Sequence, residues 1–258
     1  MKINSSFFHS SLFHAPTSSK KGTQPIFVSK IPEEVPVFIY LSIYLSIRAA
    51  FDGEGIYMAD IIVNGISKSF GEKTVLSGVS LRFEEGRRTA LMGASGCGKT
   101  TLLRIIAGLE CADSGEIIGI EPGEFGMVFQ EARLFPTATA EENVACVRQS
   151  RKDGFAASAL RALGFDATDM KKRPHELSGG MQRRVAIARA IAYCDRLFSE
   201  GRRPILLLDE AIKELDGETR DLARKYVSEF CDRTDCTVIS VTHDEEEAAS
   251  FCHTVIRL

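Results

Sequence analysis

From residue 59 onward the sequence predicts an α/β fold: a mainly parallel sheet with helices on its faces. Three observations predict it. Short apolar runs alternate with segments of helical spacing, as in βαβ units. Two of those runs, "PILLLDE" (204–210) and "CTVISVTHD" (236–244), are apolar on both faces, as parallel strands buried between helices must be. Between a strand and a helix lies the Gly-rich loop "GASGCGKT" (93–100).

Taken in order, "DIIVNGIS" (60–67) and "TVLSGVSLRF" (74–83) have the period-2 character of strands. "RRTALMG" (87–93) is a strand running into the Gly-rich loop, and "TTLLRIIAGL" (100–109) a helix closed by Gly108. "EFGMVFQ" (124–130) is a short strand. "ENVACVRQ" (142–149), "FAASALRALG" (155–164) and "GMQRRVAIARAIAY" (180–193) carry helical spacing. "YCDRLFSEGRRP" (193–204) then reads as a long connection to the strand 204–210. "GETRDLARKYVSEF" (217–230) is a helix, 236–244 a strand, and a last strand after His243 ends at Leu258.

The 258 residues are 44% hydrophobic and 26% charged, ordinary values for a globular protein with a sizeable core. A net charge of −3 gives no basic field for nucleic acid. Seven cysteines, an odd number scattered through apolar patterns, suit free thiols rather than a disulfide framework. Cys231 and Cys236 have no second pair to complete a four-ligand zinc site.

Three segments carry chemistry. In "GASGCGKT", Gly93, Ala94, Ser95, Gly96, Cys97 and Gly98 present backbone N–H groups to phosphate oxygens, and the following helix start adds positive potential. Lys99 reaches the β- and γ-phosphates as a point charge, and the Thr100 hydroxyl, followed by Thr101, suits Mg²⁺. A thiol at Cys97 would compete with nucleotide when alkylated. In "ILLLDE" a buried strand brings Asp209 and Glu210 to its carboxyl end, where α/β sheets place ligands. Asp209 suits Mg²⁺, and Glu210 can take a proton from an attacking water. In "LSGGMQRR" (177–184), Ser178, Gly179 and Gly180 open a helix. By itself this is an N-capped helix, and beside a phosphate loop it is a second anion-binding helix start.

The order GASGCGKTT, "VFQEARLFP", LSGGM, ILLLDE, "ELD", "VTHDEEEA" resembles the ATP-binding cassette (ABC) family over residues 59–258. The LSGGM variant is most similar to importer ATPases of the nitrate, sulfonate and taurine type. The resemblance implies a P-loop NTPase cassette with an N-terminal antiparallel β subdomain and a helical signature subdomain. It implies ATP and Mg²⁺, with Phe70 stacking on adenine and Gln130 touching Mg²⁺ or the attacking water. It also implies Asp216 in a loop that crosses a dimer interface, and His243 on the γ-phosphate. Ser178, Gly179 and Gly180 would close over ATP held by a partner subunit, giving an ATP-dependent homodimer. The implied partners are an integral membrane permease subunit and a substrate-binding protein, at the cytoplasmic face of a bacterial membrane. The segment after Gln130, near 133–142, is expected to be helical and to face the permease. The sequence departs from the pattern in a short stretch between Lys99 and Gln130, in Ala211 where proline is usual, and in its end at Leu258, from which no C-terminal regulatory domain is expected. A soluble non-transport ABC ATPase is the alternative. Against it, the chain has one set of motifs, and the 47 residues between Gln130 and Ser178 leave no room for a long coiled coil.

Residues 1–57 differ from the rest, with Ser- and Phe-rich text and prolines at 16, 25, 32 and 36. The apolar stretch from Pro36 to Ile47 is too short for a membrane span, and "IYLSIYLSI" (39–47) within it is what the repeat TATC encodes in frame. Asp52–Gly55 is compatible with a purine-rich ribosome-binding sequence. Translation is therefore expected to start at Met58, making 1–57 a non-native extension and 58–258 the ABC domain; the alternative is a real, mostly disordered tail with a short apolar contact segment.

Overall fold

The computed structural model describes residues 60–150, 153–213 and 215–258. The expected start at Met58 and the whole of 1–57 lie outside them. The described residues belong to one unit, Tyr57–Leu258.

The first layer is a three-stranded antiparallel sheet of β1 (Ile61–Phe70), β2 (Lys73–Phe83) and β4 (Ser114–Ile118), ordered β2-β1-β4. Its alternation is interrupted: Ile61 and Val63 are buried, and the next buried residue is Ile66. The register against β2 shifts between Val63 and Ile66, an irregularity that rotates the strand and keeps apolar residues on the inner face.

The second layer is a five-stranded sheet in the order β5-β6-β7-β3-β8, every pairing parallel. Its strands are β3 (Arg88–Met92), β5 (Phe125–Val128), β6 (Ile205–Asp209), β7 (Thr237–Val241) and β8 (Thr254–Arg257). All five residues of β6 and of β7 are buried, as their apolar runs require. Successive side chains leave these strands on opposite faces. Ile205, Leu207, Ile239 and Val241 enter a core shared with β1, β2 and helix α1 (Lys99–Ile106). Leu206, Leu208 and Val238 enter a second core on the other face.

That second core is closed by α2 (Ala140–Ala145), α3 (Phe155–Ala162), α4 (Gly179–Ser199) and α5 (Gly217–Thr234), with α6 (Glu245–Phe251) adding Phe251. Helix α1 ends as the sequence predicts. Gly108, at φ 65°, donates to the Ile105 carbonyl, and Leu109 donates to that of Arg104, a Schellman termination that only glycine adopts without strain.

Two expectations need correction. The segment 193–204 is not a long connection: α4 continues to Ser199, because Cys194 and Leu197, each fully buried, extend its apolar stripe. Residues 131–139 are not helical. The chain there runs as a loop, Arg133 has φ 45°, and Thr139 opens α2 with a capping box to Glu142. Strand β4, which the apolar pattern does not announce, pairs with β1 as an edge strand. Among the described residues, no helix is long and apolar enough to cross a membrane.

Candidate active site

The parallel sheet places the carboxyl ends of β3, β6 and β7 along one edge. β3 delivers the loop 93–98. Gly98, the residue before α1, has φ 102°, and a Cβ there would lie 2.6 Å from Leu76 Cδ2 and 3.0 Å from the Val75 carbonyl oxygen. Glycine is therefore required twice, for the backbone angle and for the approach of β2. The same hairpin carries Phe70 at the end of β1. Its ring is exposed and lies under Lys68, whose Nζ is 5.0 Å from the centroid. A half-exposed aromatic ring at the tip of this hairpin is of a kind that can stack on a base.

Lys99 is the first residue of α1. Its Nζ donates to the Gly93 and Ala94 carbonyls, each at 2.8 Å, and lies 3.7 Å from the half-buried Cys97 Sγ. Among the described residues it pairs with no carboxylate, although it is only 7% exposed. The ammonium is held inside the loop by weak acceptors, which an anionic phosphate outcompetes. Thr100 Oγ1 donates to Asp209 Oδ1 at 2.9 Å, joining the start of α1 to the end of β6. Asp209 is 1% exposed, and burial pushes its carboxyl above the usual range, with the neighbouring Glu210 adding to the rise and the Thr100 hydroxyl opposing it. A hydroxyl and a buried, undercompensated carboxylate at one point are a donor set that fits Mg²⁺.

Glu210 follows directly. It is a non-glycine residue at φ 49°, a left-handed conformation that costs about 1–2 kcal/mol. Its amide donates to the Val241 carbonyl at 3.0 Å, so β7 fixes it from one side. Its carboxylate is part-exposed, with Oε1 3.4 Å from His243 Nδ1 and Oε2 3.5 Å from Lys213 Nζ. His243 follows Thr242, which is buried and donates through its hydroxyl to the buried Glu247; its own amide donates to the Leu91 carbonyl. The His243 loop is thus bonded to β3 behind the phosphate loop.

The structure brings Lys99, Thr100, Asp209, Glu210 and His243 to one edge. Gln130, two residues beyond β5, is exposed at the same edge. Ser178, Gly179 and Gly180 stand apart from the phosphate loop in the bonding pattern. Ser178 caps α4, its Oγ accepting from the Met181 amide at 3.2 Å, while Ser178 and Gly179 remain exposed. Asp216 likewise caps α5 through the Thr219 amide, which holds its carboxyl below the usual range. Sequence reasoning missed two residues. Lys213, whose Nζ lies 3.5 Å from Glu210 Oε2, belongs to none of the motifs above. Arg183, buried on α4, donates to two backbone carbonyls of this edge, those of Glu210 and Gln130. Cys231 and Cys236 sit in the α4–α5 core with Cys194, and burial among these thiols pushes Cys236 well up.

A family model described as ABC transporter matches residues 76–213. The Fe(3+) ions import ATP-binding protein FbpC of Mesorhizobium japonicum is 40% identical over 211 residues, 75% of this chain and 56% of that protein. The spermidine/putrescine import ATP-binding protein PotA of Vibrio cholerae is 37% identical over 211 residues, 76% of this chain and 54% of that protein. The sulfate/thiosulfate import ATP-binding protein CysA of Burkholderia pseudomallei is 38% identical over 216 residues, 77% of this chain and 59% of that protein. The chain therefore spans a little over half the length of these relatives. Among solved structures, a dimeric post-hydrolysis ATP-binding cassette bound to ADP and Pi superposes with a TM-score of 0.66 at 29% identity, covering 77% of this chain and 94% of that one.

Proposed function

The chain belongs to the ABC transporter family, and from that premise we propose that it binds and hydrolyses ATP to drive import of a small solute. The observation that carries this is the Thr100–Asp209 bond beside Lys99, with Glu210 and His243 on the same edge. In this reading Lys99 leaves the loop carbonyls for the β- and γ-phosphates. The loop 93–98 and the start of α1 hold phosphate oxygens, with Thr101 at the same helix start, and Phe70 stacks on the base. Thr100, Asp209 and Gln130 would hold Mg²⁺, which neutralises phosphate charge. Glu210 orients a water and accepts its proton, and His243 approaches the γ-phosphate from the other side of that carboxylate.

Ser178, Gly179 and Gly180 act on the nucleotide of a second copy, so the working unit is an ATP-dependent homodimer. Their exposure at a helix start supports this. A membrane permease would supply the pathway and a substrate-binding protein the cargo, with this chain on the cytoplasmic face of a bacterial membrane. The loop 131–138, with Phe135 56% exposed, would meet the permease. The LSGGM signature resembles nitrate, sulfonate and taurine importers, whereas the relatives above are named for iron(III), polyamines and sulfate. The proposal is accordingly a small polar or ionic solute. The test is turnover of MgATP by the purified chain, abolished in Lys99→Ala, and cysteine crosslinks from 133–138 to a co-expressed permease. ATP turnover with no crosslinks from that loop would favour the non-transport reading.

A further inference from the structure

We propose that Arg183 is a positioning residue for the ATPase reaction, its guanidinium fixing Glu210 and Gln130 relative to one another. The proposal rests on the ATPase reading above. Arg183 lies on the second turn of α4 and is 6% exposed. Its NH1 donates to the Glu210 carbonyl at 3.0 Å, and its NH2 to the Gln130 carbonyl at 2.5 Å. These carbonyls belong to adjacent strand ends. β5 and β6 pair through Val128 and Leu208, and the strands end at Val128 and Asp209. Beyond that point the planar guanidinium takes the place of backbone pairing, holding both segments in one plane.

The bond matters most at Glu210. Its left-handed backbone persists only if the surroundings over-determine it. Val241 holds the amide side of the residue and Arg183 the carbonyl side. Releasing the carbonyl lets the residue relax, and the carboxylate swings away from its place beside His243. Gln130 is displaced by the same loss, since its carbonyl hangs on the same group. Arg183 sits five residues after Ser178 on one helix, so the signature turn, the base and the Gln130 loop form one hydrogen-bonded unit. A purely space-filling role would not select these two carbonyls.

The experiment compares Arg183→Met and Arg183→Lys with the parent, measuring kcat, KM and equilibrium binding of ATP with Mg²⁺. Arg183→Met should lose about 30- to 100-fold in kcat, the order expected when a reacting group is misplaced by about an ångström. ATP affinity should stay within about threefold, because Lys99 and Thr100 are untouched. Arg183→Lys, which reaches one carbonyl at a time, should fall between the two. Should Arg183→Met fail to fold, the lysine variant decides, and a parental kcat there overturns the proposal. A second arm combines Arg183→Met with Glu210→Asp. If Arg183 acts through Glu210, its loss costs much less in that background. Losses that multiply, or that fall equally on kcat and ATP affinity, overturn the proposal as general damage. A parent with no turnover overturns the ATPase reading and this inference with it. A turning-over parent with unaffected variants overturns this inference alone.

Discussion

The starts of α1 and α4 have opposite designs. The start of α1 is finished within the chain: Lys99 is bonded to its own loop, Thr100 to Asp209, and Gly98 is packed under β2. The start of α4 has only its own cap, Ser178 to Met181, with Ser178 and Gly179 exposed. The first is pre-organised by folding and can bind an anion alone. The second offers N–H groups outward, and under the proposed function its use would lie across an interface. The difference teaches how the proposed function would divide the work: one start would hold nucleotide in the monomer, and the other would wait for a second copy.

The largest effect that would break this comparison is at the base. Glu210→Gln should lower hydrolysis by about 10³-fold, since an amide cannot accept the proton of the attacking water. ATP binding should persist, and the protein should elute as a dimer in ATP by size-exclusion chromatography. Turnover at the parental rate would place the base elsewhere. Next in size, adding Ser178→Arg to Glu210→Gln should weaken the dimer by about 100-fold, roughly 3 kcal/mol. Nucleotide should remain on each monomer. Nucleotide lost together with the dimer would mean that the α4 start serves the same subunit.

A smaller effect tests the cost of pre-organisation. Asp209 is buried with a raised pKa, so the acid form is the better tolerated one. Its contribution to stability is present at low pH and is lost as pH rises through the folded value. Asp209→Asn removes the titration and keeps the shape. Without Mg²⁺ it should melt about 2–4 °C higher than the parent at neutral pH, and the gap should widen from acid to neutral pH. With Mg²⁺ and ATP the parent should regain the lead. The smallest effect is at Lys213. It is half-exposed, and its 3.5 Å pairing with Glu210 is screened. Lys213→Ser should therefore change stability by less than about 0.5 kcal/mol in thermal melts.

The finished half of the site was legible in the sequence because it is local. Residues 93–100 are one loop and one helix start, and "ILLLDE" carries both its burial and its carboxylates. The signature start was equally legible, cap included. What the sequence hid depends on where distant segments meet. Arg183 reads as one basic residue among several in "MQRRV", and its role exists only because the ends of β5 and β6 come together beneath α4. β4 was missed because "SGEII" is a short edge strand with no fully buried residue, so its alternation is weak. The C-terminal part of α4 was cut short because Asp195, Arg196 and Ser199 outnumber the two residues that anchor it, Cys194 and Leu197. The expectation of a helix after Gln130 came from the family resemblance and not from the residues themselves. The loop there is held open by Asn143, whose buried amide group bonds to the backbone of Phe135, Ala138 and Thr139.

The strands β6 and β7 send alternate side chains into two separate cores, and this has a consequence for how the molecule comes apart. Neither core has a wall of its own on the sheet side. Melting one strips the backing from Leu206 and Leu207 alike, so the two should unfold as a single cooperative unit. Helices α2 and α3 are placed differently, packing on α4 rather than on the sheet. They can open without disturbing the shared strands, so their amides should exchange with solvent at a lower free energy than those of β6 and β7.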